Sequence, residues 1–438
     1  MRVLNLLNNL KKADAYYKRY GPKAAIRKAL LGLLREETNG TALSDSFTIP
    51  EITPLTPHLT KFSGRRLNLL IPSIQRGHIY GGIATALSLF EKLAQIVPQS
   101  RIIITDAPAI DYDEERFYKY TFEPANPDTA PKSILPMHDR YGKSFDVGSG
   151  DIFIATGWWT AYILQAILTW QRDVYGFKDP FFIYFIQDYE PGFYPWSSRF
   201  VLAESTYRSE FSTFAIFNTK LLKNYFDSQG YTFWHSQYFE PVVNDKLKEG
   251  ISVSVHTKRS LPFQILIYGR PSVDRNCFEL IVQALKIWRY TFPNIEQWQV
   301  ISAGEAHPDV DLGGGYIMKS VGKLSLERYM NLLIESSVGL SLMVSPHPSY
   351  PPLEMALYGM EVITNSFGPK DLSTKTSNIT SLQIPTPEKI AAEIRNACSR
   401  VEQRQGAPAG VSSSILLDSD ESLNFLENLK QYLIDPEN

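Results

Sequence analysis

Short apolar runs recur along this chain, each followed by a stretch with helical periodicity, and that alternation confines what the chain can fold into. The first set is LNLLIPSI (67–74), RIIITDA (101–107), DIFIATG (151–157), PFFIYFIQD (180–188) and TFAIFN (213–218). Helical patterns such as GGIATALSLFEKLAQIV and TAYILQAILTWQRDV lie between them. After a weaker region at 220–260 the alternation resumes with QILIYG (264–269), WQVISAG (298–304), GYIMKSVG (315–322), VGLSLMV (338–344) and EVITN (361–365). Buried strands alternating with helices mean βαβ units and parallel sheets. Two such blocks, with a break near 245–260, predict an α/β fold of two Rossmann-like domains facing each other. The expected boundaries are a basic helical extension and linker (1–65), a first domain (66–250), a second (260–400), and a helical tail (401–438) that packs back on the first domain.

The chain's 44% hydrophobic and 21% charged residues mark a core-forming protein, and a net charge of −2 argues against general nucleic-acid binding. Its two cysteines, Cys277 and Cys398, cannot make a disulfide framework and have no metal-ligating company in sequence. A reducing, cytoplasmic setting is the simplest inference. The longest apolar runs, such as FFIYFI, fall far short of a membrane span, and Asn residues break up the opening MRVLNLLNNLKK too much for a signal-peptide core. Residues 1–35 carry nine Lys or Arg against the single acid Asp14. Within them KAAIRKALLGLL reads either as a basic amphipathic helix in peripheral contact with the inner membrane surface or as a solvated helix.

Several phosphate and metal motifs fail. Gly148-Ser149-Gly150 precedes a strand instead of following one, so no dinucleotide fingerprint is present. Gly142-Lys143-Ser144 has the ending of a P-loop, but Met137 stands where its first glycine belongs. The Asp111/Asp113 and Asp309/Asp311 pairs have the spacing that holds a divalent cation in some transferases, yet each lies in an ordinary polar loop. No metal is expected.

Three stretches survive. RGHIYGGIATALSLFEKLA (76–94) follows a strand and opens a helix at Gly81 and Gly82, where backbone N–H groups can face an anion. GRPSVDRNCFELIVQALKIW (269–288) puts Arg270 at a strand's carboxyl end and Arg275 just before a helix, two guanidiniums suited to a diphosphate. SPHPSYPPLEMALYGMEVITN (345–365) crowds four prolines into seven residues ahead of a helix start that carries Glu354. The prolines lower the entropy cost of holding that loop in one shape. Glu354 there is either a dipole-favoured surface acid or an acceptor for ribose hydroxyls.

These elements, in this order, resemble retaining glycosyltransferase family 4, of the GT-B fold. The stretch VGKLSLERYMNLLIESSVGLSLMVSPHPSYPPLEMALYGMEVITN is similar to bacterial rhamnosyltransferases that build surface (S-layer) glycans, as is FIQDYEPGFYPWSSRFVLAESTY (185–207) in the first domain. The resemblance implies a nucleotide-sugar donor, dTDP-β-L-rhamnose, with no metal or other cofactor, and an oligosaccharide or lipid-linked glycan acceptor. It places Arg270 and Lys323 on the donor phosphates and Tyr350 with its loop, including His347, Ser349 and Leu353, on the nucleoside diphosphate. Glu354 falls on the nucleoside sugar, while Gly81 and Gly82 close over the diphosphate from the other domain. One departure is visible: Pro346 stands where the family has a sugar-facing glutamate, and His347 and Tyr350 are the candidates to replace it.

Chemically, Arg270, Arg275 and Lys323 would meet the charge that grows on a departing diphosphate. Asp188, at the carboxyl end of PFFIYFIQD, is the candidate polar group on the acceptor side, and Arg270 and Glu354 complete the catalytic set. Tyr189, Phe193, Tyr194 and Trp196 either form a platform for sugar rings or fill the core. A protein that binds nucleotide sugars without turnover, and a transferase using UDP- or GDP-sugars, remain open alternatives.

Overall fold

The computed structural model describes residues 48–79, 81–126, 128–140, 143–240, 242–410 and 425–434; the basic segment at 1–35 lies outside these. In chain order the first ten strands are β1 (Thr56–Leu59), β2 (Arg66–Ile71), β3 (Gln99–Ile104), β4 (Thr121–Phe122), β5 (Lys132–Pro136), β6 (Ser144–Val147), β7 (Asp151–Ala155), β8 (Phe181–Ile186), β9 (Ser212–Asn218) and β10 (His235–Phe239). Eight of them form one sheet in the order β10-β9-β8-β7-β2-β3-β5-β4, every pair parallel. The strands β1 and β6 pair as a separate parallel ribbon. Helices α1 (Gly81–Leu93), α2 (Trp158–Tyr175), α3 (Ser198–Ser205) and α4 (Lys220–Ser228) connect these strands. The central strands are apolar on both faces because helices cover both sides, and β2 is buried along its whole length.

Local chemistry sets where the helices begin and end. The Thr160 hydroxyl accepts from Gly157 N–H at 3.0 Å to start α2, and Gly176 ends it with φ +74°, where a residue with a Cβ would be strained. The second domain has strands β11 (Phe263–Gly269), β12 (Trp298–Gly304), β13 (Val310–Asp311), β14 (Ile317–Gly322), β15 (Val338–Leu340), β16 (Glu361–Asn365) and β17 (Ile379–Leu382). Their order is β13-β14-β12-β11-β15-β16-β17, parallel throughout except for β13. Around them run α5 (Asp245–Ser254), α6 (Phe278–Thr291), α7 (Leu326–Glu335), α8 (Pro351–Leu357) and α9 (Pro387–Gln403).

Some elements differ from the sequence reading. Thr56–Leu59 is a strand within the stretch read as a linker, and Leu55 beside it is buried. The α5 helix lies at the expected break between blocks, and its Leu247 joins Leu266, Leu333 and Leu357 in the second domain's core. The run VGLSLMV is strand only as far as Leu340. Beyond it, Met343 N–H donates to the Asn365 carboxamide at 2.7 Å and Met343 C=O accepts from it at 3.0 Å. The final helix α10 (Phe425–Ile434) places Phe425, Leu429 and Leu433 on one stripe, in the first domain's core with Leu89, Phe90 and Phe214. Each such side chain contributes about 1.5–3 kcal/mol on burial, enough to hold a ten-residue helix in place. Among the described residues no helix is long and apolar enough to cross a membrane.

A buried ionic layer lies at the amino ends of the first sheet, opposite the ends that carry the candidate site. Arg66, on β2, donates to the Asp151 carboxylate on β7 through Nε at 2.6 Å and a terminal nitrogen at 2.8 Å. Asp151 also accepts from Asn68 and from Gly148 N–H, and Asp146 accepts from Arg101 at 2.9 Å. Both arginines are about as buried as the core leucines. A buried pair adds little over an apolar isostere, but removing one partner strands the other charge. Asp151→Ala is therefore expected to cost about 3–5 kcal/mol of stability in urea unfolding. It should leave ligand affinity at the far end of the sheet unchanged in whatever fraction remains folded.

Candidate functional site

The carboxyl ends of the two sheets face each other across a cleft, and the sequence places its polar residues at those ends. From the first domain come Gln187 and Asp188 after β8, Asn218 at the end of β9, Gly77, and the start of α1. From the second come Arg270 after β11, Lys323 after β14, and the proline-rich loop that runs into α8.

That loop is held from several sides. The Lys370 ammonium donates to Met343 C=O at 2.6 Å, and Val344 N–H donates to Arg275 C=O at 2.8 Å. His347 N–H donates to the Ser345 hydroxyl at 3.0 Å, and Ser349 N–H donates to His347 Nδ1 at 3.1 Å. Ser349 has φ +66°, a conformation a non-glycine residue keeps only when its surroundings impose it. The residues flanking it explain how. Pro348 fixes the approach, and Tyr350 C=O accepts from the amides of Leu353 and Glu354 at 3.0 and 2.9 Å as α8 begins.

Contacts across the cleft involve many of the residues singled out in the sequence. Asp188 accepts from the Ser345 hydroxyl, and its other oxygen lies 3.8 Å from Arg275 Nε. The Arg275 guanidinium sits over the Phe193 ring at 4.1 Å. The Tyr350 hydroxyl accepts from the Asn218 carboxamide at 3.0 Å and donates back to it at 3.3 Å. Lys323 Nζ donates to Gly77 C=O at 3.3 Å. Arg270 follows β11 directly and is near enough to Arg275 to lower that residue's pKa. Gly304 must be a glycine here: its φ is +136°, and a Cβ would come within 2.8 Å of Gly269 C=O and 3.3 Å of the Arg270 stem. At α1, a Cβ on Gly82 would collide with the Gln187 carboxamide, while Gly81 has open space and φ +46°. Leu353, by contrast, turns its side chain into the second domain's core.

Burial sets the charge states. It depresses the Arg275 guanidinium, against the pull of Asp188, and lowers Lys370 to about 8, so both stay mostly charged at neutral pH. Burial lowers His347 to about 4, keeping the imidazole neutral. It lifts the Glu190 carboxyl to about 8, against the Trp158 N–H that donates to it. It lifts Glu354 to about 7, opposed by the Tyr329 hydroxyl donating at 2.9 Å. At neutral pH the cleft thus holds Arg270, Arg275, Lys323 and Lys370 against Asp188 and a half-ionised Glu354. An excess of positive charge in a partly dry cleft suits a polyanion.

Sequence reading missed Asn218, Tyr329, Ser345 and Lys370, whose roles arise from partners far away in the chain. Glu190 was within reach as the second acid of DYE, four residues past the end of β8. The aromatic run divides by location. Tyr189 packs among Tyr207, Tyr225 and Phe226, and Phe193 lies under Arg275. Tyr194 accepts from the Trp158 indole at 2.9 Å. Trp196 alone of the four is exposed, at 91%, its ring stacked on Phe200 at 5.1 Å. Each Asp-x-Asp pair has local work: Asp113 accepts from Arg116 N–H, Asp309 from Ser320 N–H, and Asp311 from Gly313 N–H. Among the described residues no three His, Cys, Asp or Glu side chains are grouped to hold a metal ion.

A carboxyl raised to about 7 favours the fold while protonated, and that contribution is lost as pH rises through the folded value. Glu354→Gln keeps an acceptor for Tyr329. The variant is expected to be more stable than wild type by about 3 kcal/mol at pH 8, a gain that shrinks to well under about 1 kcal/mol near pH 4. Unfolding curves of both proteins at the two pH values measure the difference.

Comparison with known proteins agrees with this architecture. The model of the WsaF N-terminal domain matches residues 66–220, and that of the WsaF C-terminal domain matches residues 263–395, together more than half of the chain. The O-antigen biosynthesis protein RfbC of Myxococcus xanthus is 35% identical over 255 residues, 57% of this chain and 18% of that protein, so the chain spans under a fifth of that curated relative's length. Among solved structures, a UDP-forming alpha,alpha-trehalose-phosphate synthase from Burkholderia xenovorans, in complex with glucose-6-phosphate, superposes with a TM-score of 0.50 at 10% identity, over 84% of this chain and 100% of that one. WaaG, a glycosyltransferase involved in lipopolysaccharide biosynthesis, matches with a TM-score of 0.49 at 12% identity over 84% of this chain and 99% of that one. With two parallel-sheet Rossmann-like domains in the GT-B arrangement and both WsaF domains in sequence, the chain belongs to the WsaF family.

Proposed function

We propose that this chain is a glycosyltransferase that moves a sugar from a nucleoside diphosphate to a growing surface glycan. The observation that carries this reading is the convergence of Arg270, Arg275 and Lys323 with the stiffened loop before α8 around one cleft. Both WsaF domains are present, and the relative RfbC is named for O-antigen biosynthesis, which supports a surface-glycan acceptor. In the finer reading the donor is dTDP-β-L-rhamnose, the anomeric configuration is retained, and no metal takes part. The acceptor is an oligosaccharide or a lipid-linked glycan, and the basic segment at 1–35 gives peripheral contact with the inner membrane surface.

The chemistry follows from where the charges lie. As the bond from sugar to diphosphate breaks, the sugar becomes oxocarbenium-like and negative charge builds on the leaving group. Guanidinium and ammonium groups already fixed around that position stabilise the charge without reorganising. These cations supply what a divalent ion supplies elsewhere. Glu354, at the first turn of α8, accepts from a nucleoside sugar hydroxyl once ionised. Asp188, buried at the end of β8, is the acid best placed to meet an acceptor hydroxyl. A second reading, binding without turnover, draws on Pro346, where the resemblance has an acid.

Transfer of labelled sugar from dTDP-β-L-rhamnose to a rhamnan acceptor tests the reading, after a thermal-shift screen of dTDP-, UDP- and GDP-sugars has fixed the donor. Binding without any transfer would favour the second reading, and no binding at all would overturn both. Arg270→Ala and Lys323→Ala are each expected to lower kcat/KM roughly 10²–10³-fold. Their melting temperatures should stay close to wild type. Trp196→Ala removes an exposed ring beside the acceptor side. It should raise the acceptor KM several-fold, in line with about 0.5–1.5 kcal/mol for one aromatic contact, with no change in donor KM.

A further inference from the structure

We propose that His347 reads the sugar carried by the donor, its Nε2–H donating to a ring hydroxyl. The inference rests on the nucleotide-sugar reading above and names the contact that distinguishes the sugar from the diphosphate.

The argument starts from the ring's hydrogen. Ser349 N–H donates to Nδ1 at 3.1 Å, so Nδ1 is an acceptor and the single hydrogen of a neutral imidazole lies on Nε2. His347 is only 5% exposed, and Nε2 meets no hydrogen-bond partner among the protein's atoms. A buried donor left unsatisfied costs about 1–3 kcal/mol, and such atoms are rare enough in native proteins that each calls for a reason. Here the surroundings supply one. The ring's charged neighbours are Asp188 from the opposing domain, Arg275 and Lys370, which places it at the floor of the cleft. Arg275 Nε and Gln187 Oε1 are likewise buried without a hydrogen-bond partner in the same region. Three unsatisfied polar atoms, two donors and an acceptor, drawn from both domains, suit a ligand with several hydroxyls.

The chemistry of the group selects which part of the ligand it meets. Phosphate oxygens are matched by charged donors, which Arg270 and Lys323 provide at their strand ends. A neutral N–H beside a carboxylate matches a sugar, whose hydroxyls each accept and donate. The loop's other candidate, Tyr350, is already committed, since its hydroxyl both accepts from and donates to Asn218. The rigidity of Pro346 and Pro348 and the left-handed backbone at Ser349 then have a purpose: they hold one ring nitrogen at a fixed point.

The test compares affinities of the full chain for dTDP and for dTDP-β-L-rhamnose by calorimetry, or for the UDP or GDP pair if wild type selects that base. His347→Ala is expected to leave the affinity for the nucleoside diphosphate within about twofold and to weaken the nucleotide sugar about tenfold, as one lost hydrogen bond implies. His347→Gln, whose amide reaches the Nε2 position, should retain sugar affinity within a factor of about three. His347→Asn, which mimics the Nδ1 position, should behave like Ala. Equal weakening of both ligands would show that His347 only braces the loop, and unchanged affinity for both would show that it touches nothing; either result overturns the proposal. If His347→Ala does not fold, the contrast between Gln and Asn decides the matter. Wild type that binds neither ligand would instead overturn the nucleotide-sugar reading itself.

Discussion

Cations gathered in one cleft repel each other, and the arrangement holds because Asp188 answers them from the opposite domain. Its carboxylate is buried at the end of β8, accepts from Ser345 across the cleft, and lies 3.8 Å from Arg275. Charge pairs in such a partly dry setting interact several-fold more strongly than in water. The contact adds one cross-domain hold to a loop that Lys370 and Arg275 also fix, and Arg275 sits over Phe193 beside it. On the nucleotide-sugar reading proposed above, an arriving diphosphate would bring negative charge to Arg270, Arg275 and Lys323 together and relieve a repulsion that one carboxylate only partly offsets.

The two ends of the first sheet divide the work. At the amino ends, Arg66, Arg101, Asp146 and Asp151 pair with one another and with Asn68 and Gly148 N–H, and Arg66 Nη1 is left without a hydrogen-bond partner. At the carboxyl ends the polar groups are incompletely satisfied: His347 Nε2, Arg275 Nε and Gln187 Oε1 have no hydrogen-bond partner in the protein. A fully connected buried network fixes one structure, whereas a partly connected one costs stability.

Much of the fold was legible because continuous apolar runs such as FFIYFI and QILIYG have one stable use, the interior of a parallel sheet. Among the strands that escaped, SFDV in β6 and HSQYF in β10 are short or mixed in polarity and form through pairing with a neighbour, and β1, β4, β5, β13 and β17 escaped as well. The site divides the same way. Arg270 and Glu354 could be read from their places just after a strand or at a helix start, since local pattern fixes those places, whereas Lys323 came only with the family resemblance. Asn218 with Tyr350, Ser345 with Asp188, and Tyr329 with Glu354 could not, because each pair joins segments far apart in sequence or on different elements. Burial was equally invisible. Nothing in DYE announces that Glu190 is held beneath the start of α2, or that its carboxyl titrates near 8.

Neutral groups beside the cations sharpen what the cleft can recognise. A site lined only by arginine and lysine would hold any nucleoside diphosphate, with or without its sugar, because Coulombic attraction is long-ranged and weakly directional. Discrimination needs groups whose energy depends on hydrogen-bond geometry, and a site built to pair with a hydroxyl rejects the analogue lacking it far more strongly than an apolar pocket can. His347 and Glu190 are kept uncharged at neutral pH by burial. One physical cause, exclusion of water around these buried groups, thereby leaves uncharged hydrogen-bonding groups beside charged ones, the combination that the proposed nucleotide-sugar ligand would require.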